Sequence, residues 1–222
     1  MKHGIQLDIS SSFDLQHYSM CLLFLAKMFN EIHSALRLDK HSSENKRINI
    51  VQGLSSDASF LLHHFTSAAV KSNANILLVA LDQTIGHFHG IGMKLGYDLF
   101  KLQKKGQFVF IDGLKNVHNS YLCEPGLKVA TNDLFDFHSN LESSLKHLYE
   151  NIEQKISEFE NNSRPLYVII DKLSTLITIG IATSKVIPFI LKLQQFVQER
   201  NGTLGKIKGW VNGGEVKWMK VI

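Results

Sequence analysis

Apolar positions along the chain repeat with two different periods, and the alternation between those periods outlines the architecture. Between residues 18 and 36, Leu22, Leu25, Phe29, Ile32 and Leu36 recur at steps of three and four, which predicts a helix. The polar run from Asp39 to Lys46 predicts a loop. From there the pattern becomes rhythmic. Arg47–Gln52 reads as a short strand closed by Gly53, and Leu54–Asp57 as a turn where Ser56 or Asp57 caps a helix running to Lys71. Asn75–Leu81 is almost unbroken in apolar residues, as expected of a strand covered on both faces. A helix over Phe88–Leu102, then Gly106, then a strand over Gln107–Ile111 come next. A polar connection containing Asn116, Asn119, Pro125 and Gly126 leads to the longest helix, Leu134–Phe159, with Leu141, Leu145, Leu148, Ile152, Ile156 and Phe159 in one stripe. Pro165 opens a strand over Leu166–Ile170 that ends at Asp171. A last helix covers Ala182–Gln198; Pro188 falls inside it and is expected to kink it or to mark its true first turn.

Four strands separated by helices predict parallel βαβ units with right-handed crossovers, hence an α/β fold with a mostly parallel sheet flanked by helices. The alternation does not carry the strand order. With 222 residues, one domain is the natural expectation. The pattern divides the chain into a helical leader and loop at 1–46, the α/β domain at 47–204 and a basic tail at 205–222.

In open α/β sheets ligands sit beyond the C-terminal strand ends, and in P-loop proteins at the first strand-to-helix turn. A working P-loop reads Gly, four residues, then Gly-Lys-Ser/Thr. Its N–H groups cradle phosphate, its Lys reaches the β and γ phosphates, and its hydroxyl holds magnesium. The corresponding stretch here is Gly53-Leu-Ser-Ser-Asp-Ala-Ser-Phe60. The spacing is kept, since Gly53 is followed by four residues and the small Ala58. The chemistry is not: Ser59 stands where Lys belongs, Phe60 where the hydroxyl belongs, and Asp57 adds negative charge beside an anion site. The fold class is therefore a RecA-like, P-loop NTPase type with a degenerate P-loop. A weaker alternative is that the loop holds a partner's backbone or an anion through helix N–H groups alone. Asp171 has the place of the acidic residue that would complete such a site, but an Asp at a strand end is more often a cap or turn residue. Lys172 beside it favours that second reading.

Other chemistry is sparse. His63 and His64 are neighbours on a helix, so their side chains diverge by about 100° and form no common ligand face. His87 and His89 lie near a helix start after Gly86, and no Cys/His set has zinc spacing. Each His is expected to be an ordinary donor at a helix end or interface. No Gly-x-Ser-x-Gly elbow occurs, Ser59 has no evident base, and Gly86, Gly90, Gly92 and Gly96 lack the order of a dinucleotide fingerprint. Hence no catalytic, cofactor-binding or metal residue is expected, and no cofactor.

Composition narrows the setting. Hydrophobic residues make up 44% and charged residues 20%, which fits a folded soluble protein. The net charge of +4 is uneven: residues 204–222 hold Lys206, Lys208, Lys217 and Lys220 against Glu215, a local +3 that leaves +1 for the rest. Such an end is usually a solvated tail, with RNA contact as the alternative. Cys21 reads as a small hydrophobe and Cys123 as a loop residue. Two cysteines make no disulfide framework, so a reducing compartment is expected, the sequons at Asn161 and Asn201 notwithstanding. The apolar cluster Met20–Met28 is interrupted by Lys27 and is too short to cross a bilayer, and it lacks the marks of a signal peptide.

Several stretches together resemble the sixth subunit of the elongator complex. These are Asp57–Phe65 (DASFLLHHF), Leu77–Leu81 (LLVAL), His87–Gly96 (HFHGIGMKLG), Gly106–Lys115 (GQFVFIDGLK) and Tyr167–Leu176 (YVIIDKLSTL). The likeness covers about 47–204 and thins between 116 and 160. It implies a RecA-like subunit without nucleotide motifs, a pseudo-ATPase. Such subunits join two paralogous elongator subunits, the fourth and fifth, in a hetero-hexameric ring. That ring docks on the catalytic elongator subunits and binds transfer RNA in support of wobble uridine modification. The resemblance places the protein in cytoplasm and nucleus, with no membrane partner. It also carries over no catalytic residue. Two departures follow. Members of the family continue from a last helix such as 182–198 into another hydrophobic strand, whereas this chain gives a Gly- and Lys-rich end with Trp210 and Trp218; the expectation is an atypical terminus and an open sheet edge. The leader before residue 36 is also unfamiliar. The competing readings are a residual ATP-binding enzyme, which needs affinity at Gly53–Phe60, and an independent RNA-binding module using residues 204–222.

Overall fold

The structure is a computed structural model and is described over residues 31, 32, 34, 47–51, 58–115, 141–159 and 163–208, with backbone alone at 47–51, 141–142 and 207–208. Several sequence expectations lie outside those residues: most of the helix at 18–36, the loop to Lys46, the segment 52–57, the connection 116–140, Cys21, Cys123, Asn161 and the end from 209 onward. Residues Met1–Lys40 and His41–Ile222 form two compact units. In the first, Glu31, Ile32 and Ser34 are helical.

The second unit carries a five-stranded, wholly parallel sheet in the order β1-β5-β4-β2-β3. Its strands are β1 (Arg47–Val51), β2 (Asn75–Ala80), β3 (Phe108–Asp112), β4 (Leu166–Ile170) and β5 (Thr203–Lys208). The helices are α1 (Phe60–Lys71), α2 (Ile85–Lys94), α3 (Leu99–Lys104), α4 (Leu141–Ser157), α5 (Ser174–Thr178) and α6 (Thr183–Gln198). The expected α/β class is the one observed. Every residue of β2 and of β4 is buried, which explains why both read as unbroken apolar runs. Leu77, Val79 and Leu81 of the β2 segment, Val168 and Ile170 of β4, and Leu204 of β5 share one core with Ile152 of α4 and Leu193 and Val197 of α6. On the opposite face Gly205 of β5 approaches the Phe65 ring of α1. The crossovers from β1 to β2 and from β4 to β5 travel in opposite directions along the sheet. Right-handed connections therefore put α1 and α6 on opposite faces.

Four differences from the sequence expectations have physical causes. First, α1 starts at Phe60 with Ser59 in the N-cap position and no side-chain cap hydrogen bond, while Ser56 and Asp57 lie outside the described residues. Second, the single helix expected at Phe88–Leu102 is two helices. Gly96 takes φ +86°, the Tyr97 N–H donates to the Gly92 carbonyl at 2.9 Å and the Gly96 N–H to Met93 at 3.3 Å, a Schellman closure that ends α2. Third, Pro188 lies inside α6, which runs from Thr183 to Gln198, so it does not mark the first turn. Fourth, the chain does form a strand after α6. β5 pairs with both β1 and β4, so the end expected to leave the sheet open supplies an interior strand. That strand runs through the 204/205 boundary expected from composition, and Lys206 is 3% exposed within it. A lysine assigned to a solvated tail is thus a sheet residue.

The α2–α3 junction yields a test. A Cβ on Gly92 would lie 2.6 Å from Cε2 of Tyr97 and 3.1 Å from its carbonyl oxygen. Tyr97 is buried and cannot swing away without opening the core. Gly92→Ala is expected to destabilise the fold by about 1–3 kcal/mol, read from the urea midpoint.

Candidate functional site

The C-terminal strand ends are where a ligand crevice would form. β1 stops at Val51, opposite Lys208 of β5, and β4 stops at Ile170, opposite Lys206 of β5 and Val79 of β2. Of the loop after β1, Ala58 and Ser59 are described, so most of the degenerate P-loop lies outside the described residues. At the two positions that decide its chemistry, Ser59 is the N-cap of α1, and Phe60 is 50% exposed with its ring edge-on to His64 at 6.1 Å. A phenyl ring supplies no oxygen for a metal ion.

Asp171 is the most constrained polar group at this edge. Its side chain is buried, and both oxygens accept backbone N–H groups from the turn that follows β2. Oδ1 accepts from Leu81 at 2.7 Å; Oδ2 accepts from Asp82 at 3.0 Å and Gln83 at 2.9 Å. In addition the Asp171 N–H donates to the Val79 carbonyl at 3.2 Å. Burial pushes this carboxyl above its usual range, and the backbone N–H groups of Leu81, Asp82, Gln83 and Lys172 pull it back. The geometry follows from strand order. β2 lies on one side of β4 and β5 on the other, with β1 beyond β5, so Asp171 is turned to the side away from β1. The cap-or-turn reading of Asp171 therefore holds, but across strands: it closes a turn some ninety positions away, a partner that no local pattern could name. Lys172 reinforces the same turn through Asp82 at 3.0 Å, a half-exposed pair of small energetic weight.

His87 and His89 lie near the start of α2, where the sequence placed them. His63 is buried near the start of α1, and its Nδ1 has no hydrogen-bond partner. Its ring sits 5.2 Å from Phe88 and 5.8 Å from His87, which join α1 to α2. His64, one residue on, meets Phe60, so the two neighbours serve different contacts as their divergence required. Burial, and secondarily the charge of His87, lower the His63 pKa from 6.5 to about 4. As pH falls below 6.5 the unfolded chain takes up this proton first, whereas the folded chain resists until about 4. Stability contributed by neutral His63 is thus complete above 6.5 and is lost as pH falls through that window. A His63→Phe variant is expected to lose about 1–2 kcal/mol less than the parent between those limits, measured as the pH dependence of urea unfolding. Among the described residues no group of three or more His, Cys, Asp or Glu side chains is placed to hold a metal ion, and no helix is long and apolar enough to cross a membrane.

Comparison with known proteins identifies the lineage. The family model described as Elongation complex protein 6 matches residues 29–211, which includes every strand of the sheet. The chain belongs to the Elongation complex protein 6 family. Among its curated relatives, the Elongator complex protein 6 of Homo sapiens is 28% identical over 166 residues, covering 73% of this chain and 61% of that protein. That of Danio rerio is 26% identical over 164 residues, covering 74% and 61%. The Dictyostelium discoideum protein of the same name is 28% identical over 123 residues, 47% of this chain and 36% of its own. The chain thus spans about three fifths of the length of the vertebrate relatives it matches. Among solved structures, a KaiC-like protein of the hyperthermophilic archaeon Pyrococcus horikoshii superposes with a TM-score of 0.47 at 16% identity, covering 75% of this chain and 64% of that one. In the Elongation complex protein 6 match, β5 lies inside the aligned region, as a strand of the domain and not an appendage.

Proposed function

We propose that this chain is a non-catalytic subunit of the elongator assembly, a RecA-like pseudo-ATPase. In this reading it joins the fourth and fifth elongator subunits in a hetero-hexameric ring. The ring docks on the catalytic subunits and binds transfer RNA in support of wobble uridine modification, in cytoplasm and nucleus. Family membership supports the assembly. The observation that carries the non-catalytic part is Asp171: the acid at the end of a core strand has both oxygens engaged by three backbone N–H groups of the β2 turn. A metal there would have to displace those bonds and strand buried donors. Ser59 and Phe60, in place of lysine and hydroxyl, remove the other half of a nucleotide site.

Two measurements test this. Isothermal titration with MgATP is expected to give no binding tighter than about 1 mM, and micromolar affinity would overturn the pseudo-ATPase reading. Native mass spectrometry after co-expression with the two sister subunits is expected to show a hexamer holding two copies of this chain. A mixture in which the sisters assemble without it would refute the scaffold role.

A further inference from the structure

The outer face of α2 and α3 holds large apolar side chains in solvent. Met93 is 55% exposed, Leu95 36% and Phe100 42%. Met93 and Phe100 belong to one surface, since Met93 stands one helical turn beyond His89 on α2 and the His89 ring lies 4.2 Å from that of Phe100 on α3; Leu95 follows at the C-cap of α2. Four exposed lysines border the patch. Lys94 closes α2, Lys101 and Lys104 lie one turn apart on α3, and Lys105 follows at its C-cap.

These lysines differ from others on the molecule. Lys146, Lys155 and Lys172 each meet a carboxylate, whereas none of the four has an ion pair among the described residues. The acid within the stretch, Asp98, is already engaged. Its Oδ1 accepts from the Lys101 backbone N–H at 3.0 Å and lies 3.7 Å from Nδ1 of His89. Cations in a last helical turn complement the negative end of the helix, which accounts for part of the placement. That effect leaves the ammonium groups in water without counter-charge, and it gives no reason for Met93, Leu95 and Phe100 to be exposed beside them.

We propose that this face docks an acidic, amphipathic segment of a protein partner. Its apolar anchors rest on Met93, Leu95 and Phe100, and its carboxylates face Lys94, Lys101, Lys104 and Lys105. Charge complementarity chooses the sign of the occupant, and the apolar centre chooses its class. A polyphosphate would use the lysines and the Phe100 ring but leave Met93 and Leu95 facing water, whereas an amphipathic helix covers both. An adaptable methionine beside an aromatic anchor under a basic rim is the composition of a protein-binding surface.

The test uses the full chain and a fluorescein-labelled helical peptide of about 18 residues, with glutamates on one face and Leu and Phe at helical spacing on the other. Fluorescence anisotropy at low salt is expected to give saturable binding with Kd on the order of 10–100 µM. The triple variants K101E/K104E/K105E and K101Q/K104Q/K105Q, and separately Phe100→Ala, are each expected to weaken it at least about 10-fold, with unchanged circular dichroism. The control pair K146E/K155E, on α4, is expected to leave it within about 2-fold. Peptides with Glu replaced by Gln, or with Leu and Phe replaced by Ser, are expected not to bind. Four results would each overturn the proposal. They are no saturable binding below millimolar peptide, equal loss in the control pair, retained affinity in Phe100→Ala, or a single-stranded RNA that binds tighter than the peptide and is released by the same variants.

Discussion

Asp171→Ala is expected to destabilise the folded chain by about 2–4 kcal/mol, which is a large share of the roughly 5–15 kcal/mol that holds a domain together. The loss comes from the donors left behind. The Leu81 N–H is buried at the end of β2 and finds no replacement acceptor, while those of Asp82 and Gln83 lie closer to water and are partly rescued by it. Asp171→Asn keeps one oxygen but turns an amide N–H₂ toward backbone donors, so it is expected to recover little. Chemical denaturation with the slope held fixed reads both variants. The competing outcome is informative. Acids retained for catalysis sit in strained or repulsive surroundings, and removing them commonly leaves stability unchanged or raises it. An alanine variant as stable as the parent would therefore refute the clamp and reopen a metal-linked role for Asp171.

The same residue shows how far the sequence could be read. Its place at the end of a core strand was legible because Leu166–Ile170 is apolar throughout, and that composition requires cover on both faces. Its partner was not, because a carboxylate that closes a turn on another strand leaves no local periodicity. The α2–α3 break sits between these cases. Apolar spacing runs through Gly96 and reads as one helix, and only the Tyr97 and Gly96 backbone bonds show that the helix closes there. The changes at Ser59 and Phe60 were legible without any structure, since lysine and hydroxyl chemistry is either present or absent. The burial of His63 was not, because a histidine carries no apolar signal of its own. The strand Thr203–Lys208 was concealed for a related reason. Gly205, Lys206 and Lys208 contradict the composition of an interior strand, and only pairing with β1 and β4 overrides it.

That override sets the second large effect. A chain ending at Gly202 is expected to fail to fold, whereas one ending at residue 211, where the family match stops, is expected to fold. β5 is the element between β1 and β4, so its removal separates β1 from the rest of the sheet and exposes the pairing edge of β4 as well. Hydrogen-bonded partners of Tyr167 through Ile170 would be lost on one side, and Leu204 would be withdrawn from the core it shares with Leu193 and Val197. Losses of that order exceed the net stability of a domain, and the unpaired edges favour aggregation. Soluble yield, circular dichroism and size-exclusion profiles of the two truncations separate the outcomes. A folded, monodisperse chain ending at Gly202 would show that β5 is dispensable. It would also return residues after 202 to the role of a solvated tail, leaving the near-complete burial of Lys206 without structural consequence.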